Sequence, residues 1–351
     1  MSQASSDKVV KTERRVFAIG DIHGCALELE ALIRKLKIRN EDLVIFLGDY
    51  IDRGPDSARV VDIVLDLKRK CEVITLIGNH EAMFLDFLER PETPGSGMFI
   101  LNGGASTLAA YTRADGSIGI SDAHLKFFKE LKYFYETKSH FFVHAGVPNQ
   151  PLSTLNEKDH GHQMIWSRQP FLSSNYNWEK IIVHGHTPVE QVEIRDNRIN
   201  LDTGCVYDRK LTAMEFPSRK IYAVDKGVRG EPPLYPKEFI QSARASTRFP
   251  GRVTVCAQRE GEALRTFETL NLNQFGFLMK EVPKHQEPSY VTGDRLVGKV
   301  GDDPQSQIDF IGQVVRYESR GGVQLYGVKL ESLSSELGMP QPGPTKTESS
   351  G

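Results

Sequence analysis

The chain has 351 residues, 39% of them hydrophobic, with a formal net charge of -2 at pH 7. That supplies apolar material for one large domain or two ordinary ones, and the near-neutral balance excludes a general attraction to nucleic acid or to an anionic membrane surface. Residues 1–14, MSQASSDKVVKTER, lack the apolar centre of a secretory leader, no apolar run reaches 18 residues, and the four cysteines (Cys25, Cys71, Cys205, Cys256) form no CxxC, so a cytoplasmic protein without membrane insertion or a disulfide framework is expected.

In chain order, VFAIG (16–20) predicts a short buried strand. From 27 to 36 apolar residues recur at Leu29, Leu32, Ile33 and Leu36, the spacing of one helix face. LVIFL (43–47) predicts a second strand, 57–70 a second helix, VITLI (73–77) a third strand and 81–90 a third helix. The alternation β-α-β-α-β implies a sheet with parallel strands. Further strands are expected at 140–146, 181–185, 198–204 and 211–216. After Val224 the texture changes: DKGVRGEPPLYP (225–236) is rich in Gly and Pro and reads as part of a linker over 225–240. Short alternating strands between Arg252 and Leu330 predict a small β-barrel, and QPGPTKTESSG at the end reads as a disordered tail over 334–351.

Most of the predicted strands end in the same kind of punctuation. GDIHG (20–24), GDYIDRG (48–54), GNHE (78–81), HAG (144–146), HGHT (184–187) and DTGC (202–205) each follow an apolar run. In an open α/β sheet ligands sit beyond the carboxyl ends of the strands, so Asp21, His23, Asp49, Asn79, His144 and one of His184 and His186 should converge. That mixture of oxygen and imidazole donors suits manganese, iron or zinc, and six such donors suit a pair of metals with one carboxylate between them. Any one of these residues alone reads as an ordinary turn, cap or half-buried histidine, as His140 does. Their joint occurrence is what separates the set from that background.

The signatures GDxHG, GDxxDRG and GNHE, in order and over about residues 14–224, resemble the phosphoprotein phosphatase branch of the metallophosphoesterases. The resemblance implies an α/β metallophosphoesterase fold, a central β-sandwich flanked by helices. It implies that Asp21 and His23 hold one divalent ion, that Asp49 bridges, and that Asn79, His144 and His186 hold the second, with manganese first and iron or zinc as alternatives. His80 is implied as the acid for the leaving oxygen, oriented by Asp52, and Arg53 and Arg168 as phosphate clamps; a planar guanidinium does grip phosphate oxygens in pairs. ILNGGASTLAAY (100–111) and LDTGCVYDRKLTAMEF (201–216) resemble bacterial members, which include serine/threonine protein phosphatases and diadenosine tetraphosphate hydrolases. The glycines of NGG either let a substrate approach the backbone or merely turn a loop.

QSARASTRFPG (241–251) carries Arg244 and Arg248 four apart, and NLNQFG (271–276) follows. The pairing resembles the RxxxR and [D/N]xSxxG hallmarks of PilZ domains, over about residues 241–333, with Asn273 standing where the family has Ser. The resemblance implies a small all-β PilZ barrel that binds cyclic di-GMP through Arg244, Arg248, Asn271, Asn273 and Gly276. The expected protein is therefore a dinuclear-metal phosphatase acting on phosphoserine and phosphothreonine in proteins and regulated by cyclic di-GMP. The rivals are hydrolysis of dinucleoside polyphosphates and, in another class, a cyclic di-GMP-responsive adaptor with minor phosphatase activity.

Overall fold

The predicted alternation is realised in the computed structural model, which describes residues 14–91, 94–113, 118–227, 249–250, 254–259, 265–273, 276–281, 290–300, 308–320 and 323–335. At a number of positions in the last seven strands, Asn271, Asn273 and Gly276 among them, it describes the backbone alone. Chain order runs β1 (Val16–Ile19), α1 (Ala26–Leu36), β2 (Leu43–Phe46), α2 (Ser57–Lys68), β3 (Glu72–Thr75) and α3 (Asn79–Glu89). Next come α4 (Pro94–Phe99), a π-helical turn (Ile100–Gly104), α5 (Ala105–Tyr111) and α6 (Asp122–Lys129). Then follow β4 (Phe134–Glu136), β5 (His140–Val143), α7 (Glu157–Trp166), β6 (Ile181–His184), β7 (Glu193–Ile194) and β8 (Arg198–Asn200), before β9 (Lys210–Phe216) and β10 (Lys220–Asp225).

Two mixed five-stranded sheets result, ordered β10-β9-β1-β2-β3 and β4-β5-β6-β8-β7. The two-residue period of the strands explains how they stack. In β1, Phe17 and Ile19 pack towards the helices while Ala18 faces the other way, and in β2 Val44 and Phe46 oppose Leu43 and Ile45. Ala18, Ile45, Leu47, Phe142, Val183, Ile199 and Met214 meet between the sheets as one apolar layer. The outer face of the first sheet is covered by α1 and α2, which bury Leu29, Leu32, Val60 and Val64. The second sheet is covered by Met164, Phe171 and Trp178.

The strands stop earlier than their apolar runs predict. β3 ends at Thr75, not Ile77, and β8 at Asn200, not Gly204. The remaining residues leave the ladders and turn towards the site. Conversely, α3 begins at Asn79, two residues before its predicted start, because the Glu81 carboxylate accepts the Gly78 N–H and caps the helix.

Beyond residue 227 the described strands are β11 (Phe249–Pro250), β12 (Thr254–Gln258), β13 (Arg265–Asn273), β14 (Gly276–Glu281), β15 (Arg295–Val300), β16 (Ile308–Arg320) and β17 (Val323–Ser335). Antiparallel pairings run β12–β13, β13–β14, β14–β17, β17–β16, β16–β15 and β15–β12, so six strands close on themselves. Closure leaves no free edge in that ring. β17 runs to Ser335, two residues into the expected tail, because Ser334 and Ser335 pair with Asp309 and Ile308. Asn273 lies opposite Gly276 across the β13–β14 pair. Arg244 and Arg248 lie outside the described residues, as do the linker from 228 onward and the tail from 336.

Candidate metal centre

β1, β2 and β3 are parallel neighbours, as are β5 and β6, so their carboxyl ends point the same way. The chain leaving those ends delivers Asp21 and His23, then Asp49, Asp52 and Arg53, then Asn79 and His80, then His144, and last His186. Five of these residues sit in the left-handed region that side chains normally avoid: His23 (φ 47), Asp49 (52), Asp52 (72), Arg53 (66) and His186 (66). Such conformations cost on the order of 1–3 kcal/mol each and persist only where surrounding contacts hold them.

Glu81 is one holder. Its buried carboxylate accepts the N–H groups of Gly78 (2.9 Å), Asp49 (2.9 Å), Tyr50 (2.8 Å) and Ile51 (3.3 Å), clamping the Asp49 turn to the start of α3. The fit is close: a Cβ on Gly78 would lie 2.1 Å from Asp49 Oδ1. Gly103 is a second holder. At φ 102 its carbonyl accepts the Arg53 N–H (3.1 Å), and a Cβ there would meet the Arg53 side chain at 2.6 Å. Between the two readings of NGG, the observed job is to turn a segment that supports Arg53.

The histidine tautomers follow from their fixed neighbours. His23 Nδ1–H donates to the Ile51 carbonyl (2.8 Å), which leaves a lone pair on Nε2, 3.4 Å from Asp49 Oδ2. His144 Nδ1–H donates to the Leu47 carbonyl (2.9 Å), which leaves its Nε2 lone pair 3.0 Å from Asn79 Oδ1 and 3.5 Å from Asp49 Oδ1. Two acceptors facing each other at 3.0 Å repel unless a cation lies between them. Burial keeps all three imidazoles neutral: it pushes His144 down to about 3, and it holds His23 and His186 well below the ordinary range. His186 is tied to the same place by its peptide N–H, which donates to Asp21 Oδ2 (3.0 Å), and its ring Nδ1 lies 3.0 Å from Asn79 Oδ1.

The acids point to the same conclusion. Burial lifts Asp49 to about 7 and Asp202 to about 6, and burial with the charges of Asp202 and Asp49 lifts Asp21 well above the carboxylate range. Asp21 Oδ1 is buried with no hydrogen-bond partner. Crowded buried carboxylates with an orphaned oxygen are stabilised by a cation. Donor atoms of His23, Asp49 and His80 lie within 4.8 Å of one another, as do those of Asp49, His144 and His186. Asp49 is common to both groups. The residues present therefore fit divalent cations, with Asp49 offering an oxygen to either group. His184 belongs to neither group; its ring packs edge-on against Phe171 at 5.0 Å, in the core of the second sheet.

His80, a member of the first group, is also part of a buried hydrogen-bonded chain. His80 Nδ1–H donates to Asp52 Oδ2 (2.6 Å), and Thr107 Oγ1 donates to Asp52 Oδ1 (2.6 Å) while accepting the Asp52 N–H (2.9 Å). Arg53 and Arg168 are the half-buried cations of the cleft. Arg53 donates to His23 Nε2 (2.8 Å) and Arg168 to His186 Nε2 (3.3 Å), so each guanidinium reaches one side of the centre. The Arg53 guanidinium also lies over the Tyr207 ring at 5.6 Å. Glu81, Asp202 and Tyr207 lie inside the motifs GNHE, DTGC and LDTGCVYDRKLTAMEF, which by themselves assign them no role. The signal for Glu81 was available, as the fourth residue of GNHE at capping distance from Gly78; Thr107 carries no local signal.

A sequence model described as calcineurin-like phosphoesterase matches residues 14–225. A bis(5'-nucleosyl)-tetraphosphatase (PrpE, asymmetrical) of Oceanobacillus iheyensis is 27% identical over 234 residues, 60% of this chain and 92% of the relative. Serine/threonine-protein phosphatase 1 of Salmonella typhimurium is 30% identical over 213 residues, 58% of this chain and 92% of the relative. A solved serine/threonine phosphatase from Saccharomyces cerevisiae superposes with a TM-score of 0.43 at 14% identity, covering 63% of this chain and 82% of that one. With the site's donor chemistry and this match over more than half its length, the chain belongs to the calcineurin-like phosphoesterase family and is a metal-dependent phosphoesterase.

Proposed function

We propose that the protein hydrolyses phosphoserine and phosphothreonine monoesters on proteins. The observation that carries this reading is the buried His80–Asp52–Thr107 relay. An aliphatic alkoxide is a poor leaving group and needs a proton as the P–O bond breaks, whereas a nucleotide leaving from an anhydride needs it far less. When bound, two divalent cations, manganese first, supply Lewis-acid activation of water and of the phosphoryl oxygens. Asp21, His23, Asp49, Asn79, His144 and His186 would hold them. Arg53 and Arg168 grip the phosphoryl oxygens as their charge grows. His80 presents Nε2 to the leaving oxygen, and Asp52, 2.6 Å from Nδ1, offsets the charge of the proton that the ring transfers.

Hydrolysis of dinucleoside polyphosphates is the second reading, supported by the names of the Oceanobacillus protein and its like. The closed six-stranded ring after residue 250 is compatible with a PilZ domain that binds cyclic di-GMP through Arg244, Arg248, Asn271, Asn273 and Gly276 and regulates the phosphatase from the same chain, in the cytoplasm. The test is a side-by-side assay on a phosphothreonine peptide and on diadenosine tetraphosphate, each with and without cyclic di-GMP. The expected result is a higher kcat/KM on the peptide. Faster turnover of the dinucleotide selects the second reading, and rates indifferent to the cyclic dinucleotide remove the regulatory one.

A further inference from the structure

Two thiols far apart in sequence meet behind the metal centre. Cys25 follows the GDIHG turn at the entrance to α1, and Cys205 opens the helical turn Cys205–Tyr207 after DTG. Both are free and buried. Their sulfurs and a Glu28 carboxylate oxygen lie within 4.8 Å of one another. Lys226 covers the pocket, with Nζ 3.2 Å from Cys25 Sγ and 3.3 Å from the Glu28 carboxylate, and the Gly227 N–H donates to the same Glu28 oxygen at 3.0 Å. Lys226 already neutralises Glu28, so the group reads as a cysteine pair and not as another metal site. The Lys226 side chain is 22% exposed, so its displacement opens the pocket to a small oxidant.

We propose that Cys25 and Cys205 form a reversible intramolecular disulfide that slows the metal centre. With hydrogen peroxide as oxidant, one sulfur attacks the O–O bond, becomes a sulfenic acid and releases one water. The second thiol attacks that sulfur, the S–S bond forms, and a second water leaves. Two thiols lose two hydrogens and two electrons, and peroxide is reduced to two waters. A small disulfide reaches the same product by exchange and departs as two thiols.

Closure is transmitted to the site from both sides. A disulfide needs its sulfurs about 2.05 Å apart, so the pair must draw together. On one side the Cys25 thiol donates to the His23 carbonyl at 3.6 Å, and oxidation removes that donor. His23 cannot easily adapt: it is at φ 47, and its carbonyl is packed so closely against Gly54 that a Cβ there would lie 1.9 Å from it. On the other side Cys205 pulls on the turn that carries Tyr207, the ring beneath the Arg53 guanidinium.

The test uses the full chain loaded with manganese and treated with hydrogen peroxide or oxidised glutathione. The expected product has lost the mass of two hydrogens, and its non-reduced peptide map joins the Cys25 and Cys205 peptides. Hydrolysis of an aryl phosphate falls by about ten- to a hundredfold, the scale of an ångström misplacement at a reacting centre, and dithiothreitol restores it at constant metal content. Cys205→Ser keeps its rate without oxidant and loses both the cross-link and the reversible inhibition; Cys25→Ser provides the same mass test should the first variant fold poorly. Absence of the joined peptide overturns the proposal, as does a cross-linked protein hydrolysing at the untreated rate, or a Cys205→Ser variant inhibited as strongly as the parent. The cross-link is read by mass, so its failure is distinct from a wrong substrate assignment.

Discussion

Replacing His80 with asparagine tests the proton relay most directly. The peptide N–H of residue 80, which donates to Asp49 Oδ1 at 3.2 Å, survives the change. Asp52 keeps Thr107 and the Ser57 hydroxyl, so its loop retains its shape. What disappears is a buried ring that stands edge-on to His23 at 4.7 Å. The variant should therefore bind its metals normally and lose proton transfer. A general acid contributes about 10²–10⁴-fold, equivalent to about 3–5 kcal/mol of barrier. That full loss in kcat is expected on a phosphothreonine peptide. On p-nitrophenyl phosphate, whose phenolate leaves without much help, the loss should shrink to about tenfold or less. The assay is steady-state kinetics on both substrates beside metal analysis by atomic emission. Equal losses on the two substrates, or a fall in bound metal, would refute the reasoning.

Asp49→Asn should abolish activity and lower metal content at both positions together, because Asp49 belongs to both donor groups; two retained metals with normal turnover would remove the bridge. Arg53→Ala and Arg168→Ala should weaken inhibition by vanadate and lower kcat/KM, whereas undiminished inhibition of both variants would dismiss them as clamps. Tyr207→Ala should mimic a milder Arg53→Ala, since its ring lies under the guanidinium; a variant inhibited by vanadate as strongly as the parent would remove that support. Glu81→Gln should destabilise the fold in urea, since a single amide oxygen cannot serve four N–H donors and each one left unpaired costs about 1–3 kcal/mol.

The chemistry of the centre was legible in the sequence because each donor follows directly on an apolar strand, and strand ends in such sheets are where donors collect. Asp21, Asp49, Asn79 and His144 needed only that adjacency, and the helices of the first half needed only the periodicity of residues such as Leu29, Leu32 and Leu36. The alternation of short strands after Arg252 likewise predicted a β-barrel. The resemblance singled out His186 over His184, and the tertiary structure supplies a physical reason for that choice. They are two residues apart and chemically identical, but His184 is the last residue of β6 and packs under Phe171, whereas His186 sits on a left-handed turn that aims it at Asn79 and Asp21. Only the tertiary structure decided the hydrogen bond that joins Asp52 to Thr107, the placing of the Tyr207 ring under Arg53, and the meeting of Cys25 with Cys205. Local sequence sets which way a side chain faces within its own strand or helix; the partner it meets from a distant segment depends on how the two sheets stack and where each loop crosses their common end.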